Sequence, residues 1–416
     1  MPFSRASRAW LFSCAAISAV AGSAHAEPLS FAYAIERAST EGPTVSAQRA
    51  SVTAAEREVR SAGALPDPQL VLGLQNVPAN GPDAYRLDRD FMTMQAVGVM
   101  QEMPNGAERR ALRAIAEAQA DRANAALDIT RLEAELGAAQ AWIDLYFTER
   151  RLAVLERIRD EARALATAAR GRLSGGGSVD DAIAAEIEAA RIEDRRTDLV
   201  AEATAARAQL HRWIGEDAET ELAAAPPRFL IDEMQLRANL RAHPNLAAYG
   251  AETNLAEANL RFARAERAPD WSWSVMYQRR APQFSDMASV EVRIGLPLFQ
   301  GGRQGPLIEA RRAEMLSVEA QRAATEREVA AALERQLAEH RSTEANLRRA
   351  YETRLPLARQ RAEAASGAFA GGAASAEQLI LARRDALETE LDALELEQRL
   401  ATLGALLTLQ YGQATP

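Results

Sequence analysis

The chain has 416 residues, 48% hydrophobic and 26% charged but only 5% aromatic, with a formal net charge of −9 and a pI near 5.3. The acidic balance excludes the basic footprint of a nucleic-acid binder. Alanine supplies much of the apolar count, which favours closely packed helices over a thick aromatic core.

Arg5 and Arg8 precede a short apolar run at residues 10–20 and an Ala24-His25-Ala26 site. Residues 1–26 are therefore expected to be a secretory signal cleaved after Ala26. The run is too short and wrongly flanked to span a membrane. The single cysteine, Cys14, falls inside this segment, so the mature chain would have no disulfide and no thiol chemistry. Leu11-Phe12-Ser13-Cys14 loosely matches a lipoprotein box but leaves almost no apolar region before the cysteine.

The mature chain reads as two copies of one plan. The first covers residues 27–222. Short amphipathic helices at 29–39 and 44–62 end at Leu65-Pro66-Asp67-Pro68. Strands follow at 69–77 and 91–101, around a polar loop at 78–90. Met92, Met94 and Met100 are placed on one face of the second strand and read as packing residues. Pro104 and Gly106 make a turn into a long helix at 107–173. Its residues Ile129, Leu132, Leu136, Ala139, Ile143 and Tyr146 recur at coiled-coil spacing. Gly175-Gly176-Gly177 breaks it, and Ser178 can cap a further helix at 178–214, with Asp180 and Asp181 in its first turn. A linker with a short helix occupies 223–242.

The second copy covers 243–416. A helix at 245–265 stops at Ala268-Pro269-Asp270, and strands at 271–279 and 288–296 follow. Pro297, Gly301 and Gly302 turn the chain into a helix at 303–370, with a distortion expected at Pro356. Gly371-Gly372 breaks it, Ser375 caps, and the last helix runs over 375–411. Pro66 and Pro269 lie 203 residues apart, Pro104 and Pro297 193, Leu173 and Phe369 196, and Gly215 and Gly412 197. Such steady spacing marks a duplication. Two long-helix repeats cannot bury their apolar stripes alone and should pack on each other and on further copies.

Each copy supplies two strands near the length of about 9–11 residues that crosses a bilayer. Four strands cannot close a barrel, because membrane barrels begin at about eight and an open edge is not tolerated in lipid. Three copies of four strands would make twelve. Trp271, Trp273 and Tyr277 suit an outward, interface-anchoring face, and Ser272, Ser274 and Gln278 a wet lumen. A strand pair packed on helices in a soluble domain remains open on spacing alone.

The doubled helix–strand–strand–helix–helix plan, with Leu65-Pro66-Asp67-Pro68, Gly295-Leu296-Pro297-Leu298-Phe299, Gly302-Arg303 and the glycine-containing hairpin tips, resembles the TolC family of outer-membrane efflux ducts. Asp286-Met287-Ala288-Ser289-Val290 and Arg303-Gln304 are similar to its heavy-metal branch. The resemblance implies a mainly α fold with membrane β. A homotrimer would form a 12-stranded outer-membrane barrel on a long periplasmic helical tunnel. It implies a periplasmic adaptor and an inner-membrane RND-type transporter as partners, outer-membrane lipid around the barrel, and no chemistry. The hairpin tips would meet the adaptor and form the aperture. In the first tip these are Arg170, Leu173, Gly175, Gly177, Ser178, Asp180 and Asp181. In the second they are Phe369, Gly372, Ser375, Glu377 and Gln378. Family members often carry aspartates just after the second tip, whereas this chain has Glu377 and Gln378 there. Asp180 and Asp181 could instead form a ring that attracts cations, or simply favour a helix dipole. A duct serving drug efflux or protein secretion, and a soluble periplasmic coiled-coil adaptor, are the alternatives.

No pattern points to an enzyme, a cofactor or a tight metal site. His211, His243 and His340 are far apart and lack ligand partners at helical spacing, and no HExxH occurs. The glycines at 301–305 lack the lysine and hydroxyl of a phosphate loop.

Overall fold

The computed structural model of the chain describes residues 28–223 and 225–412. The expected signal segment, with Ala26, lies outside them. Helices α1 (Phe31–Glu41) and α2 (Pro43–Ser61) lead into strands β1 (Gln69–Gln75) and β2 (Met94–Met103). Helices α3 (Gly106–Arg172) and α4 (Val179–Ile214) then form a long hairpin. After the short α5 (Glu233–Ala238), α6 (Pro244–Ala265) leads into β3 (Trp271–Arg279) and β4 (Met287–Ile294). A second hairpin follows from α7 (Gln304–Arg349), α8 (Leu355–Ala370) and α9 (Ala376–Tyr411). The strands form one antiparallel sheet in the order β1-β2-β3-β4. Its central pairing, β2 on β3, joins the two halves of the chain. At 67 residues, α3 carries its far end about 100 Å from the sheet at 1.5 Å per residue.

Several boundaries differ from the sequence reading, each for a local reason. The strand expected from residue 91 begins at Met94, because Asp90 turns the chain by accepting the Met92 N–H at 2.6 Å. Met92 therefore lies outside the strand and does not share a face with Met94 and Met100. At its other end β2 continues to Met103, since Glu102 and Met103 still pair with Ser272 and Trp271. Strand β4 ends at Ile294: the Gly295 N–H still reaches the Asp270 carbonyl at 2.8 Å, one step along the same register, and Pro297 beyond it has no N–H to donate. In the helix expected over 303–370, the distortion expected at Pro356 takes the form of a π turn at Ala350–Arg354. Pro356 has no N–H for the carbonyl one turn back, and its ring crowds that carbonyl. The wider turn relieves both.

The thickest packing is a collar midway along α3. Trp142, Ile143 and Leu145 are fully buried there among α1, α2, α4 and α9. Leu29 pairs with Leu222 in a short parallel bridge, which ties the start of the described chain to the end of the first repeat. Gly137 lies against the Trp213 ring and Gly404 against the Phe229 ring, so close that a Cβ at either would overlap it.

His243 caps α6: its Nδ1 accepts the Asn245 N–H at 3.2 Å, and its ring packs at 5.4 Å from that of Tyr411. Burial lowers its pKa from the ordinary 6.5. Because the folded state resists the proton more than the unfolded state does, this stability is full above 6.5 and falls away as pH drops below it. Burial lowers the pKa of His340 as well. His243→Asn, which keeps a capping oxygen, is expected to flatten the stability profile between about pH 7 and 5, leaving the contributions of His340 and of Glu108, Glu135 and Asp144, whose pKa values burial raises. Denaturation midpoints across that range check it.

Candidate functional site

Strand register sorts the sheet into two unlike faces. On one face lie Leu70, Leu72 and Leu74 of β1, Val97 and Val99 of β2, Trp271, Trp273, Val275 and Tyr277 of β3, and Val290, Val292 and Ile294 of β4. They form adjacent pairs across the whole sheet, such as Leu72 with Val97, Val97 with Tyr277, and Val275 with Val290. Leu72 is 69% exposed and Val290 72%. An apolar patch running across four strands is far more than scattered exposed residues and marks contact with an apolar phase or partner. Trp271 and Trp273 stand at the helix end of this face and Tyr277 toward the loop end. Residues 271 and 277 are about 20 Å apart along the strand, comparable with the apolar band of about 25 Å in membrane barrels. At the loop end the Tyr277 hydroxyl donates to Asp286.

The other face carries Ser272, Ser274 and Gln278, to which the register adds Gln75, Glu102, Ser289, Glu291 and Arg293. It also carries Met94, Met100, Met276 and Met287. Asp286 closes the β3–β4 hairpin. It accepts the Arg280 N–H at 3.1 Å as well as the Tyr277 hydroxyl, and these donors hold its carboxyl below the usual range. Among the described residues, the outer edges of β1 and β4 are unpaired.

The turns into the long helices are held by named contacts. Pro104 follows β2, Gly106 opens α3, and Asn105 between them caps the helix by accepting the Glu108 N–H. Asp270 from the second half accepts the Asn105 N–H at 2.7 Å, so the second copy's Ala268-Pro269-Asp270 clamps the first copy's turn. Burial, Asp270 and Glu266 together raise the Glu108 pKa. Pro297 lies beyond β4. Gly301 and Gly302 sit in the turn before α7, where the Gly302 N–H reaches the Phe299 carbonyl at 3.2 Å.

At the far end the two hairpin tips meet. Arg172 lies 4.6 Å from the centre of the Phe369 ring, an arrangement that joins them by cation–π attraction. Ser178 caps α4, and Ser375 and Gln378 form a reciprocal capping box on α9. Gln378 is thus held at the helix start, its side-chain oxygen accepting the Ser375 N–H at 3.3 Å. Asp181 accepts the Ala376 N–H at 3.1 Å, so this carboxylate staples the first tip to the second. Asp180, Leu173, Gly175, Gly177 and Glu377 are exposed, and Arg170 pairs with Glu186 on the same hairpin. Gly372 takes a positive φ of 73°; in the first tip it is Gly176, at 89°, that does so, rather than Gly175 or Gly177. Three glycines in a row give no hint which one turns. Arg172, and the Arg384–Glu188 pair that joins α9 to α4, also escape a sequence reading, because their partners are about 200 residues away. Asp181→Ala is expected to cost about 0.5–1.5 kcal/mol locally and to speed amide exchange at Ala376 without altering exchange in the collar.

Between the hairpins, just behind the tips, lies a cleft of about 690 Å³. Its charges are largely matched, with Arg157 and Arg359 on Glu390 and Arg384 on Glu188. Among the described residues, no group of three or more His, Cys, Asp or Glu is placed to hold a metal ion. No helix among them is long and apolar enough to cross a membrane.

Comparison with known proteins bears on both parts. Residues 236–412 match the family described as outer membrane efflux protein. No curated protein sequence matches the chain. Among solved structures, a membrane protein from Pseudomonas aeruginosa aligns with a TM-score of 0.76 at 16% identity, covering 92% of this chain and 90% of the other. The outer membrane protein VceC from Vibrio cholerae gives 0.75 at 17% identity, covering 92% and 96%. The CmeC outer membrane channel of Campylobacter jejuni gives 0.77 at 10% identity, covering 92% and 85%. Residues 236–412 thus carry the sequence signature of the outer membrane efflux proteins, and the chain as a whole has the fold of these outer-membrane channels.

Proposed function

We propose that the chain is one protomer of a trimeric outer-membrane duct of the TolC type. The sheet carries the reading: one face carries exposed apolar side chains on all four strands, the other mixes serines, glutamines and charges with four methionines, and among the described residues both edges are free. In lipid such edges must be closed, and three copies bring twelve strands, within the range of membrane barrels. The apolar face then meets the bilayer, and the serines, Gln278, Glu291 and Arg293 line water. The helical hairpins extend about 100 Å into the periplasm and form the tunnel wall. Such a duct does no chemistry and needs no cofactor. It conducts passively what an inner-membrane RND-type transporter delivers through a periplasmic adaptor that docks at the tips.

Heavy-metal cations are the proposed cargo, supported by the likeness of residues 286–304 to the heavy-metal branch. Asp286 in that segment serves the hairpin closure described above, so the cargo rests on the segment's remaining residues. Fractionation of cell membranes followed by light scattering in detergent tests the duct, with a trimer in the outer-membrane fraction expected. A soluble periplasmic monomer overturns it. Metal sensitivity of a deletion strain tests the cargo; sensitivity to drugs alone would reassign it.

A further inference from the structure

On the sheet face that carries the serines, the large apolar side chains are nearly all methionine. Met94, Met100, Met276 and Met287 lie there, and Val71 is the one branched apolar residue beside them. The other face is built of leucine, valine, isoleucine and aromatic rings, with Met103 its single methionine. Bulk does not explain this sorting, because leucine replaces methionine at nearly constant volume and is used freely on the other face. Three of the four methionines stand in line. Met100 is opposite Ser274, Met276 is opposite Gly98 and Ser289, and Met287 is opposite Gln278. Each is therefore the diagonal neighbour of the next, at a separation of about 7–8 Å that long side chains bridge. The line climbs two residues per strand, about 7 Å, from the helix end of the sheet toward its loop end. Met276 lies over Gly98, where a Cβ would stand 2.7 Å from the methionine Cγ, so it leans toward β2, the strand of Met100. Met100 and Met276 are half-buried, and Met287 is 45% exposed. The residues paired with them are neutral, and the Gln278 amide donates to the Ser289 hydroxyl at 3.2 Å. Toward the helix end Glu291 and Arg293 are paired with each other at 2.6 Å, while Glu102 stands exposed two residues beyond Met100.

We infer that Met100, Met276 and Met287 form a thioether strip that binds a soft monovalent metal cation, of the copper(I) or silver(I) kind, on the lumen side of the proposed barrel. Thioether sulfur is polarizable and a weak partner for water. It selects soft ions, whereas hard cations take oxygen ligands. The ligands are neutral, so they hold the ion without the added pull of a carboxylate. Three of them at successive levels let an ion step from one to the next. Conduction needs that balance, with binding strong enough for entry and weak or divided enough for release. Exposed Glu102 adds attraction at the helix end, where cargo from the tunnel enters. The inference rests on the duct reading for its lumen, and it narrows the proposed metal cargo to ions that prefer sulfur.

The test uses the full chain in planar lipid bilayers bathed in potassium nitrate, with silver nitrate as the probe and magnesium nitrate as the hard-ion control. Wild-type channels are expected to lose potassium current as silver is added, and to keep it at the same concentrations of magnesium. The variant Met100→Leu/Met276→Leu/Met287→Leu keeps side-chain volume and removes the sulfurs. Its block by silver is read relative to its own potassium current. Loss of an outer partner alone weakens a metal site by about 10–100-fold, so loss of the sulfurs is expected to raise the silver concentration for half-block by about tenfold or more. X-ray absorption of silver bound to the wild-type protein depends on no variant folding. It is expected to show sulfur neighbours, and Cys14→Ser is expected to leave them in place. Channels that conduct potassium while silver acts equally on wild type and variant overturn the strip and leave the duct standing. A silver shell of nitrogen and oxygen alone overturns it too. A wild-type protein that forms no channel overturns the duct reading and the strip together.

Discussion

Val275→Arg is expected to destabilise the proposed barrel by about 2–4 kcal/mol per copy, and Val290→Arg by a similar amount. The two residues pair across β3 and β4 in the middle of the apolar face, with Trp271 and Trp273 on one side and Tyr277 on the other. A guanidinium there would have to leave water for hydrocarbon or drag water in. Ser274→Arg, one residue away, is the control. Ser274 pairs with Glu291 on the opposite face, so an arginine there gains a carboxylate neighbour on the face proposed to line water, and its effect is expected to be close to zero. Urea unfolding in lipid vesicles, with resistance of the trimer to detergent as a second readout, measures the difference. Equal effects at 274 and 275 would mean that neither face meets lipid. A larger loss at 274 would turn the sheet inside out.

The second large effect is expected at the collar. Trp142→Ala should cost about 3–5 kcal/mol. The indole is fully buried, its N–H donates to the Leu29 carbonyl at 3.0 Å, and its ring meets Phe31 edge-on at 5.6 Å and stacks on Tyr146 at 5.3 Å. Truncation leaves a cavity and removes one of the two N–H donors to the Leu29 carbonyl in one step. Trp142→Phe keeps most of the volume and loses the N–H, so it should cost about 1–3 kcal/mol. Denaturation midpoints in detergent separate the two. The loss should also reach the bridge between Leu29 and Leu222, which shares the Leu29 backbone with this bond. Faster exchange of the Ala223 amide, whose N–H bonds to the Leu29 carbonyl at 3.1 Å, would report that coupling.

Trp142 also shows where a sequence stops being legible. The stripe Ile129, Leu132, Leu136, Ala139, Ile143 and Tyr146 follows coiled-coil spacing, which is the pattern of a helix buried on one side. In the structure α3 is buried nearly all round between residues 138 and 148, because α1, α2, α4 and α9 surround it there. Periodicity reports the face a helix turns to one neighbour; it does not count neighbours that arrive from distant parts of the chain. The carboxylates of the first tip teach the same lesson. Asp180 and Asp181 are adjacent and alike in sequence, yet one is exposed and the other bonds the start of α9, 195 residues on.

By itself the sequence determined the elements and their doubling. Proline, glycine and capping serines act on the backbone within a few residues of themselves, and alternation along a strand sorts its side chains without help from any partner. It also assigned the aromatic residues of β3 to one face. Only the tertiary structure decided which strands adjoin, so that the apolar residues of both repeats form one continuous surface. It alone decided that the two tips are stapled by Arg172, Asp181 and Arg384. Those outcomes depend on contacts between residues far apart in the chain, and their geometry is set by how the two repeats pack, which no local pattern encodes.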